Sequence, residues 1–472
     1  MILIVAGEFP PIKTIGRLRT AKFVEHLRDD GWKVAVLTVS AGPGEPGYDA
    51  VLEGEVPSAI KILRANRPDM EEQLLQPLKQ LLGRERRSAV SKVDASADSA
   101  LVAQPPSPTG SANGAGLVAR QRAVDVFKWV VRNWVAVPDD YRAWAVNAQK
   151  LAERFCSDRK VDLVFTSLPP FSAARIGYAL KTKFDIPWII DYRDLWYGDV
   201  LREWIGPVRR RFELLQEKRY VRAADAVVAV SRQKTDFLRT LHRDAHVRWE
   251  TLTNGYDPDI YARFLGEARL SDDTVDFVFT GRLFKNRRGY AFAEALGQLA
   301  REDVRLRERA RVHILGGVSA EIRSEYNRIL ARYDITEMYR FAGDVPYEAA
   351  MRAQVNADYL LLIVDTGATS DGVIPGKLFE YVAARRPIFA LTDAGATQEI
   401  IERGRLGSVV PAESVEHCKA ALRDWLARPV PAELDADWTY LEQFERRSIS
   451  RRLGALFAEV ISAPNETKKR TT

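Results

Sequence analysis

The feature that most constrains this chain is a repeated grammar of short apolar runs, each followed by a loop and then a stretch with helical spacing. Residues 2–5 are apolar, a Gly/Pro-containing loop follows, and Leu18, Ala21, Val24 and Leu27 then recur at near-helical intervals up to a stop at Asp30-Gly31, after which residues 33–39 form another apolar run. Runs without polar alternation suit strands buried on both faces, as in a parallel sheet covered by helices. The pattern resumes at 163–166, 188–191 and 226–230, separated by helical stretches at 171–183 and 208–222, with another helix starting near Ser231. The turn cluster Asn254-Gly255-Tyr256-Asp257-Pro258 closes this half. A second cycle places runs at 277–280, 312–315, 359–364 and 388–391 between helical stretches. The expected architecture is therefore α/β, with two Rossmann-like doubly wound domains facing each other across a cleft and ligands at the carboxyl ends of the strands. Expected boundaries are 1–253 for the first domain, 254–438 for the second, 439–462 for a helix crossing back to the first, and 463–472 for a disordered tail.

Composition narrows the class. With 472 residues, 46% hydrophobic and 28% charged, the chain has enough apolar material for two or three cores. Two distant cysteines, Cys156 and Cys418, cannot form a disulfide framework and fit a reducing compartment. No apolar run reaches the roughly 18 residues of a membrane span, and the N-terminus has no basic region of the signal-peptide kind, so a soluble cytoplasmic protein is expected. The balance of 70 Lys+Arg against 64 Asp+Glu gives +6, but the signs are interspersed, which favours an ordinary surface over nucleic-acid binding. An insertion at 84–137 interrupts the first domain. Its 88–116 portion, rich in Ser, Ala, Pro and Gly, is expected to be disordered. Val124, Phe127, Val131 and Trp134 among Arg120, Arg122, Lys128 and Arg132 then suggest a basic amphipathic helix. It would either touch anionic lipid at a membrane surface or pack as a lid with its cations in water.

Two segments carry the strongest chemical signal. Pro375-Gly376-Lys377-Leu378-Phe379-Glu380 opens a helix after the run ending at Val364, and free N–H groups with a positive dipole end favour phosphate there. Glu380 is placed in the first turn, where it can accept hydrogen bonds from sugar hydroxyls or simply favour the dipole. Gly281-Arg282-Leu283-Phe284-Lys285-Asn286-Arg287-Arg288-Gly289 crowds four cations into one post-strand loop, a diphosphate site or a solvated basic loop. The first loop runs from Gly7 to Gly16 but lacks the dinucleotide fingerprint. Asp191 and Asp194 follow another strand and could hold sugar hydroxyls or act as a base, unless Arg193 pairs with them.

These segments, with Phe9-Pro10-Pro11, Ser167-Leu168-Pro169-Pro170, Asp191-Tyr192-Arg193-Asp194-Leu195-Trp196, the 224–231 segment, Asn254-Gly255-Tyr256-Asp257 and Gly343-Asp344-Val345-Pro346, resemble the two-Rossmann-domain (GT-B) glycosyltransferases, in particular the retaining family 4 and its group 1 relatives. The resemblance implies sugar transfer from a nucleotide sugar. Arg282 and Arg288 would clasp the diphosphate, with Lys285 and the Gly376, Lys377 and Leu378 amides assisting. Glu380 would hold the ribose, the Val345 backbone would meet the base, and Gly16 would let the first loop approach the diphosphate. Two departures stand out. The acid usual eight positions before the ribose-binding Glu is Gly372 here, with Asp371 adjacent, and Phe171, Ala173 and Ala174 occupy the region where many relatives place a His.

The resulting expectation is a hexosyltransferase using a UDP- or GDP-sugar and a saccharide or lipid-linked acceptor, in cell-envelope or exopolysaccharide synthesis. Arg282, Arg288 and Asp194 are the catalytic candidates; Asp191, Arg193 and Asp371 are the acceptor or sugar candidates. No cofactor and no metal are expected, because the cations and helix terminus can stabilise a departing nucleoside diphosphate. The alternatives are a catalytically degenerate scaffold and a nucleotide-sugar epimerase of the same fold. No nucleic-acid partner is expected; an anionic membrane surface remains a candidate partner.

Overall fold

A computed structural model describes residues 1–14, 16–45, 47–56, 60–68, 137–199, 202, 204–271 and 273–463. The expected disorder at 88–116, the basic helix around Trp129 and the 464–472 tail lie outside the described residues.

Residues 1–229, 238–250 and the end of the chain from Ser450 make one compact unit, and residues 230–237 and 251–449 make a second. The first is built on a seven-stranded sheet of β1 (Ile2–Ala6), β2 (Val34–Val39), β3 (Lys61–Ala65), β4 (Leu163–Leu168), β5 (Trp188–Tyr192), β6 (Ala226–Ala229) and β7 (Arg248–Thr251). Their order is β3-β2-β1-β4-β5-β6-β7, and the pairs from β3 to β6 are parallel. The second sheet contains β8 (Val275–Thr280), β9 (Ala310–Leu315), β10 (Tyr339–Gly343), β11 (Tyr359–Ile363), β12 (Ile388–Leu391) and β13 (Gly407–Val410), all parallel, in the order β10-β9-β8-β11-β12-β13. Each sheet thus runs 3-2-1-4-5-6 through its first six strands, the doubly wound order whose direction reverses beside the first strand.

The central strands are buried throughout, as β1, β4, β5 and β11 demonstrate. Helices therefore cover both faces, which explains why these strands read as unbroken apolar runs. In the first unit Trp144, Phe165, Trp188 and Tyr192 fill the space between sheet and helices. The second unit has a separate apolar layer on each face, one around Phe277, Phe292 and Phe389 and the other around Leu360, Phe379 and Val382.

Candidate functional site

In the second unit the loops after β8 and β9 are joined by backbone. Gly281 N–H donates to Leu315 O at 2.9 Å, Leu283 N–H to Gly317 O at 2.9 Å, and Gly316 N–H to Gly343 O at 2.7 Å. Close approach requires glycine: Gly316 has φ +134°, and a Cβ there would lie 2.0 Å from Gly281 O. This zipper sets Arg282 beside the Gly316-Gly317 turn, with its Nε 3.1 Å from where a Gly317 Cβ would lie. Arg282 and Lys285 are exposed. The four cations of the loop do not act alike. Arg287 turns back to make a two-point ion pair with Asp365 at the end of β11, at 3.1 and 2.8 Å, so its charge is already met. Arg288, itself half-buried, pairs with the exposed Glu413 at 2.8 Å. The mutual repulsion expected of four cations is thus relieved in part by Asp365 and Glu413, neither of which the loop's own sequence signals.

The second wall is the Gly376–Ala384 helix. Pro375 is its N-cap, and Leu378 N–H returns to Pro375 O at 3.0 Å, which leaves Gly376 and Lys377 as first-turn donors without an intrahelical partner. Gly376 is exposed, and a Cβ on it would meet nothing within 4 Å. Glu380 is the fifth residue of this helix and lies beyond the first turn, a correction to the sequence placement. A dipole effect fades within one turn, so Glu380 is too deep in the helix to act chiefly by favouring the dipole. Its Oε2 accepts from Lys377 Nζ at 2.7 Å and from Gln354 Nε2 at 3.1 Å. Gln354 is fully buried, also donates to Thr280 Oγ1 at 2.8 Å, and accepts from Tyr261 at 2.7 Å. Tyr381 completes the brace by accepting from Thr280 N–H at 2.9 Å and donating to Leu361 O at 3.2 Å. Burial pushes the phenols of Tyr261 and Tyr381 well above their ordinary range, with Glu380 adding to the effect, so both remain protonated donors. Tyr347, exposed just after Val345 and Pro346, sets its ring 5.9 Å from Lys377 Nζ.

Asp371 folds onto its own chain, its Oδ1 accepting from Gly372 N–H at 2.9 Å. At Gly372 a Cβ would lie 2.9 Å from Lys234 Cγ, and Ser231 Oγ donates to Gly372 O at 2.8 Å. The room that an acid at 372 would need is filled by buried Lys234.

In the first unit, the acidic candidates separate by burial. Asp191 is fully buried; Arg19 donates to it at 3.1 and 2.8 Å and Ser167 Oγ at 2.8 Å. Its carboxylate is committed to the fold, and Asp194 is the exposed acid of this loop. Arg193 joins the loops after β1 and β4, reaching Gly16 O at 2.5 Å, Leu168 O at 3.3 Å, Pro169 O, and Glu8 Oε2 at 3.0 Å. Its role is likewise to hold the loops. A Cβ on Gly16 would fall 1.8 Å from Glu8 Oε2 and 2.2 Å from Arg193 Nη1, so glycine lets that clamp close. The Phe171–Ala173 turn is buried, and its Ser172 donates to Asp139 through N–H at 3.0 Å and Oγ at 2.6 Å. Among the described residues, no group of three or more His, Cys, Asp or Glu is placed to hold a metal ion. No described helix is long and apolar enough to cross a membrane.

The model of the glycosyl transferase 4-like domain matches residues 86–255, and that of the glycosyl transferases group 1 matches 274–428, together more than two thirds of the chain. The chain belongs to the family 4-like GT-B glycosyltransferases. Among curated protein sequences none matches it significantly. Solved structures share the fold over nearly their whole length. Sucrose-phosphate synthase from Thermosynechococcus elongatus superposes with TM-score 0.63 at 14% identity, covering 98% of this chain and 99% of that one. Anabaena HepE in complex with UDP and glucose gives 0.56 at 13% identity over 97% and 99%. A glycosyltransferase from Rickettsia africae gives 0.60 at 12% identity over 98% and 99%. Within this glycosyltransferase, Arg282, Lys285 and Arg288 line one loop and Gly376, Lys377 and Glu380 one helix start, all in the second unit. Sequence reading missed Gly316-Gly317, Asp365, Gln354 and Glu413. Only the Gly-Gly pair, directly after an apolar run, left a local signal that could have been used.

Proposed function

We propose that this glycosyltransferase moves a hexosyl group from a UDP- or GDP-sugar to a saccharide or lipid-linked acceptor of cell-envelope or exopolysaccharide synthesis, in the cytoplasm, with retained configuration and without a metal ion. The observation that carries the reading is Glu380. A carboxylate gripped on Oε2 by Lys377 and Gln354 has its other oxygen available to accept from the two ribose hydroxyls. The Gly376 and Lys377 amides, with Arg282, Lys285 and Arg288, then receive the diphosphate. Val345 backbone meets the base. As the bond from the sugar's anomeric carbon to the phosphate oxygen breaks, negative charge grows on the nucleoside diphosphate, where these donors stabilise it. Arg288 would exchange Glu413 for phosphate. The acceptor hydroxyl attacks on the same face and gives its proton to the departing phosphate, which retains configuration. Asp194 is assigned to the acceptor side, and Asp371 to the sugar after release from Gly372. The same fold in a structure that contains UDP and glucose supports the donor class.

A second reading, a nucleotide-binding scaffold without turnover, is favoured by Gly372 and by the packing of Lys234 in the space an acid would use. Thermal melts with UDP, GDP, dTDP, ADP and CMP, with and without EDTA, test the first step. A ligand at about 100 times its Kd adds roughly 2.7 kcal/mol. Selective stabilisation by one diphosphate, insensitive to EDTA, supports the site; turnover of the corresponding sugar nucleotide excludes the scaffold. Activity lost in EDTA and restored by Mn²⁺ or Mg²⁺ would overturn metal independence.

A further inference from the structure

We propose that the exposed face of the Pro207–Ala223 helix in the first unit docks on an anionic lipid surface. Its sequence, with five arginines and one lysine against two glutamates, looks like a solvated charged helix. The structure sorts those charges. Arg209, Glu213, Glu217 and Val221, at every fourth position, point inward and are buried. Glu213 accepts from Arg209 Nε at 2.5 Å, Arg202 at 2.6 Å and Trp196 Nε1 at 2.8 Å, so its charge is compensated inside the unit. Both acids of the helix are thereby removed from its surface.

The outward face holds what remains. Val208, Phe212 and Leu215, at i, i+4 and i+7, are 67%, 52% and 60% exposed. Trp204, just before the helix, is 38% exposed. Among the described residues, these four make up four of the ten exposed large hydrophobic side chains, confined to a dozen positions, whereas the other six are scattered. Arg211, Arg219 and Arg222, at i+3, i+11 and i+14, fall on the same face and are exposed. Arg222 shares its charge with Asp244, and Arg219 donates to Tyr178 OH at 3.0 Å, so the flank is held in place and stays net cationic. An apolar stripe ending in arginines, with the helix's acids turned inward and a tryptophan at its start, matches acyl chains beneath anionic head groups. A cavity of about 290 Å³ adjoins the stripe at Phe212; Phe171, Trp196, Arg142 and Arg175 help to line it, and the two exposed arginines add cations where a head group would sit.

The test is flotation of the full chain with vesicles of phosphatidylcholine alone and of phosphatidylcholine with one-third phosphatidylglycerol. Binding to the second composition only, weakened by salt, is expected. Phe212→Asp with Leu215→Asp should lower partition by roughly tenfold or more, and Arg211→Glu with Arg219→Glu should do the same on anionic vesicles, because each basic residue near such a surface contributes measurably. Melting temperature verifies that each variant remains folded, and a variant that fails this check is replaced by Phe212→Ser with Leu215→Ser. Absence of wild-type binding to anionic vesicles, or undiminished binding by a folded stripe variant, overturns the proposal. So does a wild-type dimer that the stripe substitution converts to monomer, since the face would then belong to a second copy.

Discussion

Glu380 on a helix and Asp191 near the end of β5 are both candidate site carboxylates, yet their surroundings give them opposite expectations. Glu380 is braced on one oxygen only, so Glu380→Ala should leave folding nearly intact and weaken nucleotide binding. A hydrogen bond to a charged group contributes about 1.5–3 kcal/mol, which corresponds to roughly a tenfold to hundredfold rise in Kd by calorimetry. Arg282→Ala should fall in the same range and make binding less sensitive to salt. Asp191→Ala instead removes the partner of buried Arg19 and should cost about 3–5 kcal/mol of stability in a denaturant melt, with activity lost through unfolding. Nothing in the local sequence separates Asp191 from Asp194, because Arg19, the residue that decides, lies 172 positions away. The position of Arg282 in a post-strand loop and of Gly376 at a helix start was legible because a glycine marks each, whereas Glu380 falls one turn deeper than the sequence placed it. Arg287 was not separable from Arg288 for the opposite reason: Asp365 is 78 positions distant.

At the level of elements, the central strands could be read and the edges could not. The four strands without a clear apolar run, β3, β7, β10 and β13, are the four edge strands of the two sheets. Helices cover them less completely: β3, β10 and β13 mix exposed or half-buried positions with buried ones and β7 has no buried position, so the unbroken hydrophobic signal disappears. The same logic explains why the Pro207–Ala223 helix reads as polar all round: its inward face is itself charged. Loops are where glycine decides. Gly316→Ala must accept a φ of +134° and a contact with Gly281 O, so a loss of about 1–3 kcal/mol from backbone strain alone is expected in urea melts. Gly376→Ala is the contrasting case. Its Cβ points into open space and alanine favours the helix by up to about 1 kcal/mol, so stability should hold or rise. Nucleotide binding should nevertheless weaken, as the added methyl occupies room at the amides assigned to phosphate. Unchanged affinity in a folded Gly376→Ala protein would argue against phosphate at that helix start.

The chain does not divide into its two units at a single point, and this affects what the whole molecule can tolerate. Residues 230–237 belong with the second unit, whereas the chain from Ser450 belongs with the first, so the long last helix, Arg446–Ser462, supplies core to a unit whose other strands and helices lie some two hundred or more residues earlier. Leu453 and Phe457 are fully buried. Phe457 packs edge-on against Trp32 at 5.9 Å and Phe165 at 5.6 Å, while Arg452 pairs with Glu250 at 3.0 Å. Gly454 permits this approach, since a Cβ there would already lie 3.0 Å from Trp32 Nε1. The helix is therefore structural for the first unit, although it follows the last group 1 residues in the chain. Phe457→Ala should destabilise the first unit by about 3–5 kcal/mol, the usual loss when a buried aromatic is truncated. Scanning calorimetry should then show that unit melting earlier, with the transition raised by the preferred nucleoside diphosphate keeping its temperature and its ligand-induced rise. If both transitions fall together and the nucleotide shift disappears, the two units fold as one cooperative block and the donor site does not stand on the second unit alone.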